Sequence, residues 1–423
     1  MTVINPKVIA LPEEKIREAV ERFDTPFFIY DEAKIRANCR ALAGVFARRF
    51  ERFEPLYAVK ANTNPRILEI IFSEGWGADA SSEAEAWITK KLGAGGMYTG
   101  NYNTESELRF ARDCGLLLNL DDITLVPVVE RIGVPEFLSF RINPGSTETG
   151  DGGAGDPTRP KSLVFAGPDA KYGVDVDDAV EAYRRAKELG VKRFGMHMMT
   201  GSNVLAEEYS EVITRKLLDV AGRVRRELGI QFERINIGGG FGVPYRPDEK
   251  SLDIERVADG VRHAFDDKLR EHDLTEPILM IEPGRWVMAD CGWLVGKVHV
   301  IKSSRIRFVG IDAGMNDLPR PSIYDAYHHV TVLGKPTAGP LEEVNVVGRL
   351  CENNDQFAKR RKLPHGEVGD FIVIHNAGAH SYAMGHNYNN RLRSAEYLIT
   401  TSGELRKIRR AETIEDLFKT VEV

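Results

Sequence analysis

Little in this chain is lopsided, and each thing it lacks closes off a class of function. Lys and Arg number 57 against 63 Asp and Glu, a net charge of −6, so there is no basic excess of the kind that follows a nucleic-acid backbone. No run of about 18 apolar residues occurs, so no segment is expected to span a membrane. Met1 to Arg22 mixes Pro, Glu, Lys and Arg without an apolar stretch, and the expectation is that no secretory leader stands there. Cysteine is scarce. Cys39, Cys114, Cys291 and Cys351 lie far apart and form no metal-spaced pair, so no metal site is expected and a reducing cytoplasm fits best. Internal repeats and low-complexity tails are missing too. What remains is 423 residues, 42% hydrophobic and 28% charged, an ordinary globular composition long enough for two domains with sizeable cores.

The stretch that organises the rest is Leu56-Tyr57-Ala58-Val59-Lys60-Ala61-Asn62, a short apolar strand with a lysine near its C-terminal end. An ammonium there is either a snorkelling side chain or a lysine whose pKa is lowered by burial so that it can form a Schiff base. From this point short apolar strands alternate with amphipathic helices. Strands are expected at 56–61, 78–81, 97–100, 116–120, 138–143, 194–199, 235–238 and 278–282. Helices are expected at 65–73, 83–92, 104–113, 176–189, 207–228 and 254–271. Ser82-x-x-Glu85 and Thr104-x-x-Glu107 read as capping boxes, and Asp31 as the cap of a helix over 31–49. Eight alternating units predict a (β/α)8 barrel. A doubly wound open sheet is the runner-up, disfavoured because no Gly-x-Gly-x-x-Gly follows the first strand.

Gly145 to Gly173, rich in Gly, Asp, Thr and Pro, interrupts the rhythm after the fifth strand and reads as a lid on the barrel's C-terminal face. After Gly284 the rhythm stops. Strands at 293–303, 307–312, 328–333, 344–347, 371–374 and 396–400, mostly without helical crossovers, predict a second, all-β domain. The expected division is a barrel over 27–288 and an all-β domain over 289–423, joined by residues 1–26.

In a barrel, polar residues at strand C-terminal ends point into one cavity. Those ends carry Lys60, Asp79 and Ser81, Asn101, Arg141 and Asn143, His197 with Gly201-Ser202, Gly238-Gly239-Gly240, and Glu282-Pro283-Gly284-Arg285. Singly, each has a bland reading as a tight turn or a satisfied ion pair. Together they offer a lysine for an imine, three glycines whose backbone N–H groups suit a phosphate, and a carboxylate able to keep a pyridine nitrogen protonated. Those are the needs of pyridoxal 5′-phosphate (PLP).

With that set in view, the chain resembles the fold-type III PLP-dependent decarboxylases, and within them the diaminopimelate decarboxylases, over nearly its whole length. The resemblance rests on Tyr57-Ala58-Val59-Lys60-Ala61-Asn62, Gly238-Gly239-Gly240-Phe241-Gly242-Val243-Pro244-Tyr245, Glu282-Pro283-Gly284-Arg285, Asn316-Asp317-Leu318-x-Arg320-Pro321, Cys351-Glu352-x-x-Asp355 and Asn387-Tyr388-Asn389-x-Arg391. It implies that Lys60 holds the cofactor covalently and that Glu282 pairs with its ring nitrogen. Asp79 and the residue at position 199 lie against the cofactor. Ser202, Gly239, Gly240 and the Gly284-Arg285 backbone hold the phosphate, with His380 nearby. Arg285, Arg320, Tyr324 and Tyr388 take the substrate, with Glu352 on its far ammonium. Cys351 arrives from the other subunit of a homodimer with shared active sites and reprotonates the carbanion after CO2 leaves.

Two positions depart from the pattern. Where the family usually shows His-x-His-x-Gly-Ser, this chain has His197-Met198-Met199-Thr200-Gly201-Ser202, so a thioether stands where an imidazole stacks on the ring. Where the family shows Gly-Ala-Tyr, this chain has Gly378-Ala379-His380. The reading is therefore decarboxylation of a diamino-acid-type substrate, meso-diaminopimelate to L-lysine in lysine biosynthesis. The alternative is a diverged paralogue acting on another amino acid, such as a D-amino acid, an ornithine-like substrate or a siderophore precursor. A non-catalytic homologue is disfavoured by Lys60, Glu282 and Cys351 occurring together. An amino-acid racemase on the same barrel is disfavoured because those enzymes set an arginine, not a carboxylate, at the ring nitrogen.

Overall fold

A computed structural model describes residues 5–145, 166–167, 169–336 and 339–422. Its strands, in chain order, are β1 (Phe27–Asp31), β2 (Phe53–Ala58), β3 (Gly77–Ala80), β4 (Gly96–Tyr98), β5 (Leu117–Leu120), β6 (Phe137–Asn143), β7 (Val174–Asp175), β8 (Arg193–His197), β9 (Arg234–Asn236) and β10 (Ile278–Ile281). They continue as β11 (Gly292–Ser303), β12 (Arg307–Ile311), β13 (Val330–Val332), β14 (Leu341–Val347), β15 (Gln356–Pro364), β16 (Phe371–Ile374), β17 (Ala395–Ile399) and β18 (Leu405–Arg409). The chain divides into two compact units. One comprises Asn38–Gly242 and Leu252–Gly284, the other Met1–Ala37, Val243–Ser251 and Arg285–Val423.

The first unit is a closed parallel barrel in the order β5-β4-β3-β2-β10-β9-β8-β6, with β5 pairing β6 to complete the ring. The eight strands are those the alternation predicts. Several of the helices between them start where short polar side chains satisfy free backbone N–H groups. Asn64 accepts from Arg66 N ahead of Pro65–Ser73, and Asp253 accepts from Glu255 N and Arg256 N ahead of Ile254–Glu271. Thr104 and Glu107 form the complete capping box. The Ser82 box closes on one side only: Ser82 Oγ accepts from Glu85 N, but the Glu85 carboxylate turns back to Ser81 N and Oγ, at 2.8 and 3.0 Å. Leu56, Met97, Phe137 and Met280, each from a different strand, pack as a cluster of the barrel core. Of the expected lid, residues 146–165 and 168 lie outside the described residues. Among the described residues no helix is long and apolar enough to cross a membrane.

The second unit is a sheet in the order β15-β14-β12-β11-β1-β17-β18, with β16 on β11 and β13 on β16. β1 pairs antiparallel with β11 and parallel with β17, so the strand that begins at Phe27 belongs here although the sequence division would start the barrel at 27. The physical reason is burial. Phe27 and Ile29 join Ile16 and Ala19 of the amphipathic helix Glu13–Arg22 in one core with Trp293, Val295, Val373 and Tyr397. β15 and β18 were not expected. β15 carries Lys359-Arg360-Arg361-Lys362 at its centre, which hides the alternation, and Arg360 adopts φ +47 within a bulged pairing.

Candidate active site

The barrel's strand ends converge on a charged cluster. Lys60 is not in the strand but on the single turn Val59–Ala61 that follows β2. Gly284 packs against that turn so closely that a Cβ there would stand 2.7 Å from Ala61 Cβ. The Lys60 side chain is half exposed, and its Nζ lies 3.1 Å from Oδ2 of the buried Asp79 at the end of β3. Burial pushes the ammonium down, but the carboxylates of Asp79, Glu282 and Glu85 outweigh it, so its pKa is raised. Of the two readings the sequence left open, the lysine depressed by burial is the one this direction opposes: three nearby negative charges win.

Glu282 follows β10 and is buried. His197 Nε2 lies 3.2 Å from its Oε2, and Asn236 Nδ2 donates to its Oε1 at 2.7 Å. Asn236 also accepts from Gly238 N at 2.9 Å, which fixes the orientation of its amide. Burial opposes the Glu282 charge, but His197, Lys60 and the Asn236 hydrogen bond overcome it, and its pKa is lowered. Asp79 goes the other way. Burial and the Glu282 charge raise it, with Lys60 pulling down. Of two buried carboxylates around one lysine, Glu282 is thus the one held more firmly as an anion.

The turn after β9 is built so that nothing but backbone fits. A Cβ on Gly238 would lie 2.7 Å from Met198 O, and one on Gly239 would lie 2.4 Å from Glu282 O. Gly238 and Gly240 adopt φ +69 and +91, a region that favours glycine. Gly239 N–H points at Met199 Sδ, 3.2 Å away, a weak acceptor for an amide. Ser202 lies in the neighbouring turn, where a Cβ added to Gly240 would stand 3.0 Å from Gly201 O. Arg141, at the end of β6, donates to Met199 O at 3.1 Å and stacks over Tyr172 at 4.4 Å.

These residues fit PLP on two observations. Asp79 Oδ1 and His197 Nδ1 are both buried with no hydrogen-bond partner among the described residues. The glycine turn excludes side chains sterically, and among the described residues its Gly239 N–H faces no acceptor stronger than a thioether.

The second unit holds its own cluster. Arg285 NH1 donates to Tyr245 OH at 2.7 Å, and the buried Arg320 guanidinium lies 4.6 Å from the Tyr245 ring centroid. Burial lowers Arg320 to about 10, with Tyr245 and Tyr324 opposing and Arg285 adding to the shift. Cys351 is exposed, and its backbone N–H donates to Asn389 Oδ1 at 2.7 Å. Glu352 is exposed, with Oε1 accepting from Asn354 N at 3.1 Å. Tyr388 is exposed and Tyr324 half-buried, and His380 adopts φ +55.

Within the barrel the structure brings Lys60 onto Asp79 and Met199 onto Gly239. Within the second unit it brings Arg285 and Arg320 around Tyr245. Sequence reasoning did not single out Asn236, which the structure bonds to Glu282, or His328, whose Nε2 lies 2.7 Å from Arg320 NH1, and it quoted Tyr245 only within a motif. The signal for Asn236 was an amide inside the otherwise apolar Ile235–Ile237 run, two residues before the glycine turn.

Residues 32–289 match the family model described as the pyridoxal-dependent decarboxylase, pyridoxal binding domain. The chain is 39% identical to the diaminopimelate decarboxylase of Methanothermobacter thermautotrophicus, over 95% of this chain and 92% of that protein. It is 38% identical to Protein TabA of Pseudomonas amygdali pv. tabaci, over 94% and 91%. The crystal structure of diaminopimelate decarboxylase from M. jannaschii in co-complex with L-lysine superposes with a TM-score of 0.87 at 32% identity, covering 96% of this chain and 94% of that one.

Proposed function

The chain belongs to the pyridoxal-dependent decarboxylases, and from that premise we propose that it removes CO2 from meso-diaminopimelate to give L-lysine. The observation that carries the reading is Glu282: a buried carboxylate held as an anion by His197 and Asn236, beside a lysine and a backbone-lined turn. When bound, PLP supplies an electron sink for the pair of electrons that departing CO2 leaves on the α-carbon.

Every other task falls to side chains of this protein. Lys60 holds the cofactor. Glu282 keeps a proton on the ring nitrogen, because a fixed anion in a low-dielectric pocket makes losing that proton costly. Ser202, Gly239, Gly240 and the Gly284-Arg285 backbone hold the phosphate. Arg285, Arg320 and Tyr324 bind the carboxylate at the substrate's far end, Tyr388 contributes there, and Glu352 takes the far ammonium. A fork of N–H donors suits a carboxylate better than a single ammonium would. Cys351 Sγ delivers the proton to the α-carbon. The active form is a homodimer in which Cys351 and Glu352 of each subunit serve the partner's site. The exposure of Cys351, Glu352, Ile323 and Tyr388 on the single chain supports this. Four free cysteines support a reducing, cytoplasmic setting.

A second reading, the same chemistry on a different diamino acid, is favoured by one contact: Met199 Sδ occupies the Gly239 N–H. The experiment is a CO2-release assay on the PLP-loaded enzyme with meso-diaminopimelate beside D- and L-diamino acids. The visible band of the bound cofactor is followed in the native protein and in Lys60→Ala. Turnover of meso-diaminopimelate above the rest of the panel supports the first reading. An intact band with no turnover of meso-diaminopimelate moves the assignment to the second.

A further inference from the structure

We infer that His328 is a positioning residue for Arg320: a neutral imidazole, locked in one tautomer, that aims the guanidinium at the substrate's far carboxylate. This rests on the reading of Arg320 as a carboxylate receptor and extends it to a residue acting through another.

The partners force the protonation state. His328 is fully buried, and Arg320 is 5% exposed. Arg320 NH1 lies 2.7 Å from His328 Nε2, and His328 Nδ1 lies 2.8 Å from His375 O. A guanidinium has donors only and a carbonyl accepts only. Nε2 must therefore present its lone pair, and Nδ1 must carry the hydrogen. An imidazolium would set an N–H against a guanidinium N–H. The carbonyl that fixes the ring is itself fixed: His375 follows β16, and its N–H donates to His329 O at 2.9 Å. Tyr245 completes the mount. Its ring lies 4.6 Å from the Arg320 guanidinium carbon and meets His328 edge-on at 5.1 Å.

The choice of histidine has a consequence for affinity. Among the described residues Arg320 enters no ion pair; its neighbours are His328, Tyr245, Tyr324 and Arg285. An Asp or Glu in place of His328 would orient the guanidinium equally well but neutralise it, and the substrate carboxylate would have to compete. A neutral acceptor orients the fork and leaves its whole charge for the ligand. The donor committed to His328 fixes the plane of the guanidinium, and the remaining N–H groups keep their angles relative to it.

The test compares His328→Asn with His328→Gln in the PLP-loaded enzyme. A glutamine oxygen reaches the place of Nε2, whereas an asparagine stops near Nδ1. With Asn, KM for meso-diaminopimelate and the inhibition constant of L-lysine are expected to rise together by about tenfold to a hundredfold, the range for a lost hydrogen bond to a charged group. In the same variant kcat is expected to stay within about threefold, because the reacting centre is untouched. Gln is expected to restore both constants to within about threefold, since it replaces the acceptor. Equal behaviour of Asn and Gln, or a fall in kcat with KM unmoved, overturns the inference. Arg320→Met separates the two layers. If it leaves KM and the lysine inhibition constant unchanged, the carboxylate reading fails. If it raises both while His328→Asn does not, only the role of His328 fails. A measurement that needs no variant is nitrogen-15 NMR of selectively labelled histidine in the native holoenzyme. His328 is expected as the Nδ1–H tautomer through neutral pH, and an Nε2–H or imidazolium signal overturns the inference.

Discussion

Asn236 reaches across 46 residues of sequence to donate to Glu282 Oε1 at 2.7 Å, while its own carbonyl oxygen is pinned by Gly238 N–H at 2.9 Å. One amide therefore couples the buried anion to the glycine turn. Replacing it with leucine leaves Glu282 short of a donor and Gly238 N–H short of an acceptor. The cost of each such loss is about 1–3 kcal/mol. Asn236→Leu is expected to weaken PLP binding roughly tenfold or more. Titrating apoprotein with PLP by visible absorbance measures this. Unchanged affinity would show that Glu282 keeps its charge without Asn236.

Acid should unfold the second unit through its buried imidazoles. Burial pushes His375 down to about 3, with His329 adding to the shift, and burial with Arg361 pushes His329 down to about 4, both from an ordinary value of 6.5. Below 6.5 the unfolded chain takes up protons that the folded one refuses, so stability is lost as pH falls from 6.5 toward 4. The slope is about 1.4 kcal/mol per pH unit for each imidazole. Chemical denaturation at pH 7, 6, 5 and 4 is expected to show this fall, and His375→Gln is expected to make it shallower by about one proton. A variant with the native slope would remove His375 from the account.

Met199→His exchanges a weak acceptor at the Gly239 N–H for an imidazole. The exchange alters the partner of a backbone donor beside the cofactor site, so kcat or KM on the best substrate is expected to move severalfold. Identical kinetics on every active substrate would strip that position of any special role.

Mixing Lys60→Ala with Cys351→Ala tests the shared site. If Cys351 serves the partner subunit, each variant homodimer is inactive. A one-to-one mixture then regains about a quarter of native activity, because half the dimers are mixed and each mixed dimer has one intact site. No recovery after subunit exchange, with dimers demonstrated by sedimentation, would place Cys351 and Lys60 of one subunit in the same site.

Much of the fold was legible locally. The helix at 65–73 was bounded by its Asn-Pro start, and the one at 254–271 by its Asp cap, and both begin and end where expected. The eight barrel strands were visible because each is a short apolar run between helical periods. β15 was not, since its central cations follow the bulge and the solvent rather than a simple alternation. The candidate site was legible as residue types at strand ends, and its internal wiring was not.

By itself the sequence determined the alternating units, the caps, the glycine turn and the presence of a lysine, two carboxylates and two arginines at strand ends and turns. Each of those follows from neighbours within a few positions, where propensity, capping and periodicity act. Only the tertiary structure decided that Phe27–Asp31 pairs with β11 and β17. It alone decided that Lys60 is raised rather than depressed, that Glu282 is held as an anion more firmly than Asp79, and that His328 presents a lone pair to Arg320. Those outcomes depend on a carboxylate 19 residues away, on an amide 46 away and on a carbonyl 47 away. Electrostatic energies fall with distance through space, and separation along the chain does not report that distance.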